Sequence, residues 1–446
     1  PTKSLNLRLN ENISLFNETI KVDSDKSISI RSFLIGSISQ NISSVKNVLE
    51  SDDVKSAIIC LKKLGVHIKR QDVGSYQIYG KGLGSFVIKK NNELNFGNSG
   101  TLSRLLIGLI STTPNIEIKV KGDESLNKRN MKKLIKLMSE FGAFFYPKGK
   151  FTFPLRIVSS NMPVGISYKA GVSAQLKSAV ILAGLNSYGE TNILEKEKSR
   201  DHTENMLLQN KKIIRVKNGE KKLIKIYGKK QLKPIKIIVP GDPSSAAFFT
   251  ALTLLKEKSF LRIKNVGLNQ TRIGFYKLLK KHGAHIYFKD IKKYNSEIQG
   301  DIIIKSSNIK PILSSKEYYV NSTDEYPILF VIAALSKGVS YFKGIKDLAN
   351  KESNRIKEMQ KILKQVGVKS IASSNNIKIY GKGMIDAKNL KINVPKLGDH
   401  RICMSAFILG ILTGAKTNIK NFETVYTSSP SFLKNMKFLG GNYEKY

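Results

Sequence analysis

The chain has 446 residues, which is long enough for two or three domains with cores of their own, and its 41% apolar content excludes a disordered chain. Its 75 basic and 34 acidic residues give a formal net charge of +41. Lysines occur in almost every segment rather than in one block, so we interpret them as solvated surface charge, with a nucleic-acid partner or an acidic small substrate as the alternatives.

Cysteine and histidine content excludes two further classes of protein. Two cysteines, Cys60 and Cys403, cannot form a disulfide framework, and five scattered histidines show no metal-ligand spacing. The opening stretch PTKSLNLRLN lacks the apolar region of a secretion signal. The longest apolar run, ILFVIAAL, is far shorter than the roughly 20 residues of a membrane helix. We therefore expect a cytoplasmic protein without a metal and without a membrane partner.

An amphipathic, lysine-rich helix recurs six times along the chain, and two short strands around a turn follow it. A glycine closes most copies, as expected for a helix that ends in the left-handed conformation. The helices read, in chain order, DVKSAIICLKKLG, NMKKLIKLMSEFG, HTENMLLQNKK, IGFYKLLKKHG, RIKEMQKILKQVG and SFLKNMKFLGG.

A second, more apolar helix alternates with the first kind, again six times. Each copy is apolar on nearly all sides, which predicts a buried helix. Each opens with Asp, Ser, Asn or Gly, the residues that cap helices. The copies begin DKSISIRSFLIGSI, SGTLSRLLIGLIS, SAQLKSAVILAGL, DPSSAAFFTALTLL, DEYPILFVIAALSKG and DHRICMSAFILGIL.

These repeats predict an α/β fold made of six β-α-β-α-β-β-like units, three in each of two domains. The stretch IIVPGDPSS marks the change of domain, because a strand, a proline and a glycine precede the fourth buried helix there. A matching crossing near Val22 would leave the first strand with the C-terminal half. The predicted domains are therefore 23–240, and 1–22 together with 241–446.

Charged residues at the starts of the apolar helices need an explanation beyond capping, which takes one Ser or Asp per helix. The extra charges include Lys26 with Arg31, Asp324 with Glu325, and the sequence Asp399-His400-Arg401. Charges at the ends of buried helices are costly unless they face a cleft or one another. Helix N-termini also bind phosphates and carboxylates through free N–H groups. We therefore expect an anion-binding cleft between the two domains.

Eight motifs in order resemble the 5-enolpyruvylshikimate-3-phosphate synthase family: DKSISIR, GNSGTLSR, SAQLKSA, RDHTE, GDPSSAAFF, DEYP, KESNR and DHRICMS. The forms SAQLK, RDHTE and NQTR are more similar to its bacterial class II subgroup. The resemblance implies a two-domain inside-out α/β barrel that closes on phosphoenolpyruvate and shikimate 3-phosphate. It implies a monomeric, cofactor-free transferase of chorismate and aromatic amino acid biosynthesis, the target of glyphosate.

The resemblance also assigns roles to individual residues. It implies catalytic roles for Asp324, Lys26, Glu352 and His400. It implies shikimate 3-phosphate binding by Lys26, Ser27, Arg31, Ser173, Ala174, Gln175, Arg200, Asp324 and Lys351. It implies phosphoenolpyruvate binding by Lys26, Asn98, Gly100, Thr101, Arg129, Gln175, Arg355 and Arg401. The chain departs from the family at Asn130, where a proline is usual, at Ile30, and at Thr427, where class I enzymes place a lysine.

The chemistry of the reaction fits these residue types. Two substrates with two phosphates and two carboxylates need several cations, and arginine binds both groups in a bidentate manner. Asp324 is the expected base for the 5-hydroxyl group. Lys26 and Glu352 are both candidates for protonating the methylene carbon and later removing its proton, and the carboxylates would stabilise positive charge at C2.

Simpler explanations exist for several of these residues. Asp324 and Thr101 could be only helix caps, and His400 could be a structural histidine. Glu325 could support the site residues without itself contacting a substrate. We interpret Arg104 as a structural ion-pair partner and Cys403 as a core residue.

Two rival functions stay open. UDP-N-acetylglucosamine enolpyruvyl transferase has the same fold and donor, but that family uses a cysteine on a loop where this chain reads KGDESLNKRNM. A nucleic-acid-binding protein of a related repeat fold would explain the charge of +41 but would not need KESNR or DEYP.

Overall fold

The computed structural model describes residues 3–446 as two compact units of mixed helices and strands. The N-terminal unit comprises 24–239 with 295–297, and the C-terminal unit comprises 3–23, 240–294 and 298–446. The division falls after Asp23 and before Pro240.

The described residues form 13 α-helices, none of them long and apolar enough to cross a membrane. They are α1 Lys26–Ile38, α2 Asp52–Lys63, α3 Gly100–Ser111, α4 Glu124–Asn127, α5 Lys132–Glu140, α6 Ala174–Leu185, α7 His202–Leu207, α8 Pro243–Leu255, α9 Gly274–Lys281, α10 Tyr326–Ala334, α11 Arg355–Gln365, α12 His400–Thr413 and α13 Phe432–Phe438. Short 3-10 helices span Lys316–Tyr318, Thr323–Glu325, Lys346–Asn350 and Phe422–Thr427.

The same residues form 24 strands. They are β1 Leu7–Leu9, β2 Asn17–Ile20, β3 Ile42–Lys46, β4 His67–Asp72, β5 Ser75–Tyr79, β6 Glu93–Asn95, β7 Glu117–Lys121, β8 Phe144–Tyr146, β9 Leu155–Val158, β10 Ser167–Ala170, β11 Glu190–Glu195, β12 Ile214–Lys217, β13 Lys222–Tyr227, β14 Lys236–Ile238, β15 Phe260–Gly267, β16 His285–Tyr294, β17 Glu297–Lys305, β18 Leu313–Ser314, β19 Gly338–Lys343, β20 Ser370–Ala372, β21 Asn376–Gly381, β22 Lys391–Val394, β23 Lys416–Ile419 and β24 Glu444–Lys445.

The N-terminal unit contains three four-stranded sheets with the orders β14-β3-β5-β4, β6-β7-β9-β8 and β10-β11-β13-β12. The first pair in each order is parallel, and the other pairs are antiparallel. A parallel pair needs a crossover between its strands, and α3 and α6 supply it for β6–β7 and β10–β11. The first sheet takes its parallel strand, β14, from the far end of the unit.

The C-terminal unit contains three further four-stranded sheets with the orders β16-β17-β15-β2, β18-β19-β21-β20 and β22-β23-β1-β24. Each again has one parallel pair, namely β2–β15, β18–β19 and β22–β23. β1 pairs antiparallel with both β23 and β24, so the beginning of the chain completes a sheet made near its end.

Six apolar helices, α1, α3, α6, α8, α10 and α12, form the cores of the units, as the sequence predicts. Every residue of α8, α10 and α12 is buried. In the other three helices the less buried positions are Lys26, Arg104, Ala174 and Gln175. All four lie within the first five positions of their helices, so the exposed part of each buried helix is its start.

Five of the six amphipathic helices end at a glycine, as the sequence predicts, whereas α7 is followed by Leu208 in the right-handed conformation. Left-handed glycines follow α2, α5, α9, α11 and α13, at Gly65, Gly142, Gly283, Gly367 and Gly440. A residue with a Cβ atom is strained in this conformation, so glycine is required for the chain to leave these helices at the observed angle.

Candidate functional site

Each unit holds one group of the residues that the sequence implicated. The N-terminal group comprises Lys26, Ser27, Arg31, Asn98, Gly100, Thr101, Arg129, Ser173, Ala174, Gln175 and Arg200. The C-terminal group comprises Asp324, Lys351, Glu352, Arg355, His400 and Arg401.

The start of α1 carries the first members of the N-terminal group. Asp25 caps the helix, with its Oδ1 accepting from the Ile28 N–H at 2.8 Å. Lys26 Nζ lies 3.2 Å from Asp53 Oδ2, and Asp53 is buried in the first turn of α2. Asp25 therefore caps the helix, whereas a different carboxylate, that of Asp53, pairs with Lys26. Asp53 is a partner of Lys26 that sequence reasoning missed.

Arg31 lies one turn further along α1 and is only 2% exposed. Its guanidinium group donates from Nε to Thr203 Oγ1 at 2.8 Å, from Nη2 to Ser178 Oγ at 3.1 Å and from Nη1 to the Ser27 carbonyl at 3.2 Å. Arg200 Nη1 donates to Ser27 Oγ at 3.4 Å. The structure thus gathers Ser27, Arg31 and Arg200, and these contacts fix the orientation of Arg31.

The starts of α3 and α6 are joined by a side-chain hydrogen bond. Gln175 Nε2 donates to Thr101 Oγ1 at 3.0 Å. Ser99 caps α3 and Ser173 caps α6, each through its side-chain oxygen. Thr101 is therefore not the cap of α3, and the capping explanation for it is wrong.

Gly100 is the first residue of α3, and two arginines lie against it. Arg104 Nη1 donates to the Gly100 carbonyl at 3.0 Å. A Cβ atom at this position would overlap Nη1 of Arg129 and would lie 2.8 Å from Nη1 of Arg104. Asn98 donates from Nδ2 to Asp123 Oδ2 at 2.8 Å. Two guanidinium groups beside a helix N-terminus concentrate positive charge, which favours an anion.

Arg355 is the centre of the C-terminal group and is 1% exposed. Its Nε and Nη2 lie 3.0 Å from the two carboxylate oxygens of Asp399. Nη2 also lies 2.6 Å from Glu352 Oε2, and Nη1 lies 3.5 Å from Asp324 Oδ1. Burial by itself would lower the pKa of the guanidinium, but the three carboxylates outweigh burial and raise that pKa above its usual value.

Asp324 lies in the 3-10 helix that precedes α10, and its carboxylate faces Arg355. The N-cap residue of α10 is Glu325, without a side-chain capping bond. The carboxylate of Glu325 is buried and accepts from Ser244 Oγ at 3.0 Å. Asp324 is therefore not a cap, whereas Glu325 is part of a buried network at the start of α8.

His400 and Arg401 open α12, and both are 2% exposed. Asp399 caps this helix by accepting from the Arg401 N–H at 3.1 Å. Within the described part of the chain, Nε and Nη1 of Arg401 have no hydrogen-bond partner, and its Cζ lies 5.9 Å from the centre of the Phe248 ring. Buried guanidinium nitrogens without acceptors are costly, so Arg401 is suited to receive an anion.

Lys177, in the motif SAQLKSA, does not belong to the N-terminal group. It is fully buried, with its Nζ 2.8 Å from Glu195 and 3.1 Å from Glu204. Lys222 lies 2.7 Å from Glu204. Burial would raise the pKa of Glu204, but the two lysines outweigh it and lower that pKa. These four side chains come from separate segments of the chain, so their sequence spacing does not predict the cluster.

One group of side chains in the described part of the chain could hold a metal ion. Asp201, His202 and Glu297 offer ligand atoms within 4.8 Å of one another. His202 Nδ1 lies 2.7 Å from Glu297 Oε1, and Asn205 Nδ2 donates to both carboxylates. These hydrogen bonds account for the grouping without an ion. Sequence spacing could not reveal it, because His202 and Glu297 are 95 positions apart.

The cysteines do not fit the rival transferase that uses a loop cysteine. Burial raises the pKa of the Cys60 thiol to about 12 and also raises the pKa of Cys403. Both lie inside helices, and Cys403 is a core residue as predicted. Neither offers an accessible thiolate.

Comparisons with known proteins agree with one another over nearly the whole chain. Residues 11–436 match the model of the EPSP synthase (3-phosphoshikimate 1-carboxyvinyltransferase) family. A 3-phosphoshikimate 1-carboxyvinyltransferase of Paramagnetospirillum magneticum is 36% identical over 94% of each chain. One of Petrotoga mobilis is 37% identical over 93% of this chain and 95% of that relative.

Solved structures give the same result. EPSP synthase from Acinetobacter baumannii superposes with a TM-score of 0.83 and 33% identity, over 99% of this chain and 100% of that one. The enolpyruvyl transferase NikO from Streptomyces tendae, at 10% identity and a TM-score of 0.77, shares the fold. The chain belongs to the EPSP synthase family.

Proposed function

We propose that the two groups of residues bind and convert the substrates of a 3-phosphoshikimate 1-carboxyvinyltransferase. The enzyme transfers the enolpyruvyl group of phosphoenolpyruvate to the 5-hydroxyl of shikimate 3-phosphate and releases phosphate, a step in aromatic amino acid biosynthesis. The observation that carries this conclusion is the family match from residue 11 to residue 436.

The N-terminal group is proposed to hold anionic groups of both substrates. Arg129 and the N–H groups at the start of α3 would receive phosphoenolpyruvate, because Gly100 permits close approach of an anion to the backbone. Ser173, Ala174 and Gln175 lie at the start of α6 and would receive shikimate 3-phosphate. The link between Thr101 and Gln175 supports this assignment, because it fixes the two helix starts relative to each other.

Further contacts to shikimate 3-phosphate are proposed for Lys26, Ser27, Arg31 and Arg200. The hydrogen bonds of Ser27 with Arg31 and Arg200 support a common site for these residues. Lys26 would contact both substrates. Asn98 and Thr101 would complete the phosphoenolpyruvate side.

The C-terminal group is proposed to supply acid–base chemistry. Asp324 would accept the proton of the 5-hydroxyl, and the guanidinium of Arg355 beside it stabilises the ionised carboxylate. Arg355 and Arg401 would bind phosphoenolpyruvate, and Lys351 would bind shikimate 3-phosphate. His400 would assist from the start of α12.

The proposed reaction has two steps, an addition and an elimination. The 5-oxygen adds to C2 of phosphoenolpyruvate while the methylene carbon gains a proton, which gives a tetrahedral adduct. Loss of that proton and departure of phosphate then restore the double bond. Lys26 and Glu352 are the two candidates for moving this proton, and carboxylates stabilise positive charge at C2.

The direct experiment measures phosphate release from phosphoenolpyruvate by the purified chain. Release is expected only when shikimate 3-phosphate is also present, without added metal and in the presence of a chelator. Phosphate release without shikimate 3-phosphate, or activity that needs zinc, would contradict the proposal.

The arrangement into a two-domain inside-out barrel, the monomeric state and a cytoplasmic location are proposed from the family. We also propose that the charge of +41 serves no nucleic-acid partner. Binding of a single-stranded oligonucleotide should then fade between low and near-physiological salt, and salt-resistant binding would refute this.

A further inference from the structure

Asp399 makes more contacts to the C-terminal group than capping requires. Asp399 is fully buried, and one of its carboxylate oxygens accepts the N–H of Arg401 at the start of α12. The same carboxylate receives Nε and Nη2 of Arg355 at 3.0 Å each and Ser353 Oγ at 2.7 Å. A cap needs one of these bonds, so three of them serve another purpose.

The geometry of the pair is bidentate, with two nitrogens of one guanidinium facing two oxygens of one carboxylate. Such a pair fixes the plane of the arginine as well as its position. The same guanidinium contacts Glu352 through Nη2 and Asp324 through Nη1. The plane that Asp399 sets is therefore the plane that places two proposed acid–base groups.

We infer that Asp399 is a positioning residue, which orients Arg355 and through it Asp324 and Glu352, while its cap bond holds Arg401 at the start of α12. This inference rests on the proposed function. Asp399 acts through these partners and does not itself contact substrate.

A matched comparison within the same unit separates positioning from mere stability. Asp301 is likewise buried, lies within hydrogen-bond distance of Nε and Nη2 of Arg262 and accepts the Asn265 N–H at 2.9 Å. Arg262 belongs to β15 and contacts none of the implicated residues through any of these bonds. Asp301→Asn therefore makes the same chemical change at a site without a catalytic neighbour.

The experiment compares wild type, Asp399→Asn and Asp301→Asn in steady-state kinetics and thermal unfolding. Asparagine caps a helix about as well as aspartate, so α12 should still form. We expect kcat/KM for phosphoenolpyruvate to fall about tenfold to a hundredfold in Asp399→Asn, with effects on both KM and kcat. We expect Asp301→Asn to change both constants by less than about twofold, whatever its effect on the melting temperature.

Two further variants keep the inference testable if Asp399→Asn folds poorly. Ser353→Ala removes one bond to Asp399 and keeps its charge, and it should raise KM for phosphoenolpyruvate by about twofold to fivefold. In an Arg355→Lys background, Asp399→Asn should lower kcat/KM for phosphoenolpyruvate by less than about a further twofold, because lysine cannot form the bidentate pair.

The outcomes are distinct. An inactive wild type would refute the proposed function, and the inference with it. An active wild type with unchanged kinetics in Asp399→Asn, or equal effects of Asp399→Asn with and without Arg355, would overturn the inference alone.

Discussion

The two units differ in the charged groups that lie at the starts of their buried helices. In the N-terminal unit these starts carry Lys26, Gly100 with Arg129 and Arg104 against it, and Ser173. α1 also has the capping carboxylate of Asp25. In the C-terminal unit Asp242 caps α8, Asp399 caps α12 and Asp324 lies just before α10, and buried arginines bind all three carboxylates.

The difference shows that one repeated element serves two chemical purposes. A helix start attracts anions through its N–H groups, so cations placed beside it strengthen an anion site. A capping carboxylate such as Asp242 or Asp399 satisfies the helix itself and can also hold an arginine in a fixed orientation. We interpret the N-terminal unit as the main anion-binding part and the C-terminal unit as the main acid–base part.

The strongest test of this contrast is Asp324→Asn. Loss of an acid–base group typically lowers turnover by roughly 10²–10⁴, so we expect turnover to fall in this range. Binding of shikimate 3-phosphate, measured by calorimetry, should change by less than about tenfold, because most of its proposed ligands lie in the N-terminal unit. Unchanged turnover would place the base elsewhere.

A second test asks whether every buried cation of the N-terminal unit binds substrate. Lys177→Met leaves the fully buried Glu195 without its lysine, and removing one partner of a buried ion pair costs about 3–5 kcal/mol. We expect a large loss in denaturant stability, while substrate KM values of the folded protein stay within about twofold. A selective rise in KM would add Lys177 to the anion site.

Gly100→Ala sharpens the contrast at one residue. The new methyl group would overlap Nη1 of Arg129, so this side chain must move. We expect KM for phosphoenolpyruvate to rise about tenfold, as for a lost charged hydrogen bond, with kcat nearly unchanged. The inhibition constant of glyphosate should rise more, since that inhibitor is longer than the substrate.

Gly219→Ala is the matched control, because its methyl group would approach no atom closer than 3.5 Å. It should leave both KM for phosphoenolpyruvate and the inhibition constant of glyphosate unchanged. Equal effects of the two substitutions would mean that Gly100 does not affect phosphoenolpyruvate binding through its contact with Arg129.

The smallest expected effect concerns Asp23, the last residue of the C-terminal unit before the chain enters the N-terminal one. Burial, with a contribution from Asp242, raises its pKa to about 6, although its carboxylate accepts the Ser431 N–H at 3.0 Å. The folded state therefore binds an extra proton between roughly pH 4 and pH 6, and stability falls as pH rises through this window.

Asp23→Asn keeps the acceptor and removes the charge. We expect the variant to be more stable than wild type by about 1–3 kcal/mol at pH 7 and the difference to shrink below pH 5, as measured by urea unfolding. The exposed Asp386→Asn should stay within about 0.5 kcal/mol of wild type at every pH. A stability difference that does not vary with pH would refute the raised pKa.

Much of the fold was predictable because it depends on local rules. Apolar helices with polar starts, amphipathic helices with a closing glycine, and their sixfold alternation follow from hydrophobic period and backbone sterics. The return of β14 to the first sheet and of β1 to the last depends on long-range pairing, for which only the domain crossings gave a hint.

The sequence by itself determined the family, the candidate residues and the buried helices, because motifs and periodicity are properties of neighbouring positions. Only the tertiary structure decided which charges meet: Lys26 with Asp53, Arg355 with Asp399, and Lys177 with Glu195. It also assigned the cap of α3 to Ser99 rather than Thr101. Electrostatic partners come from segments far apart in the chain, and burial strengthens their interaction, so pairing and pKa shifts arise only when the chain has folded.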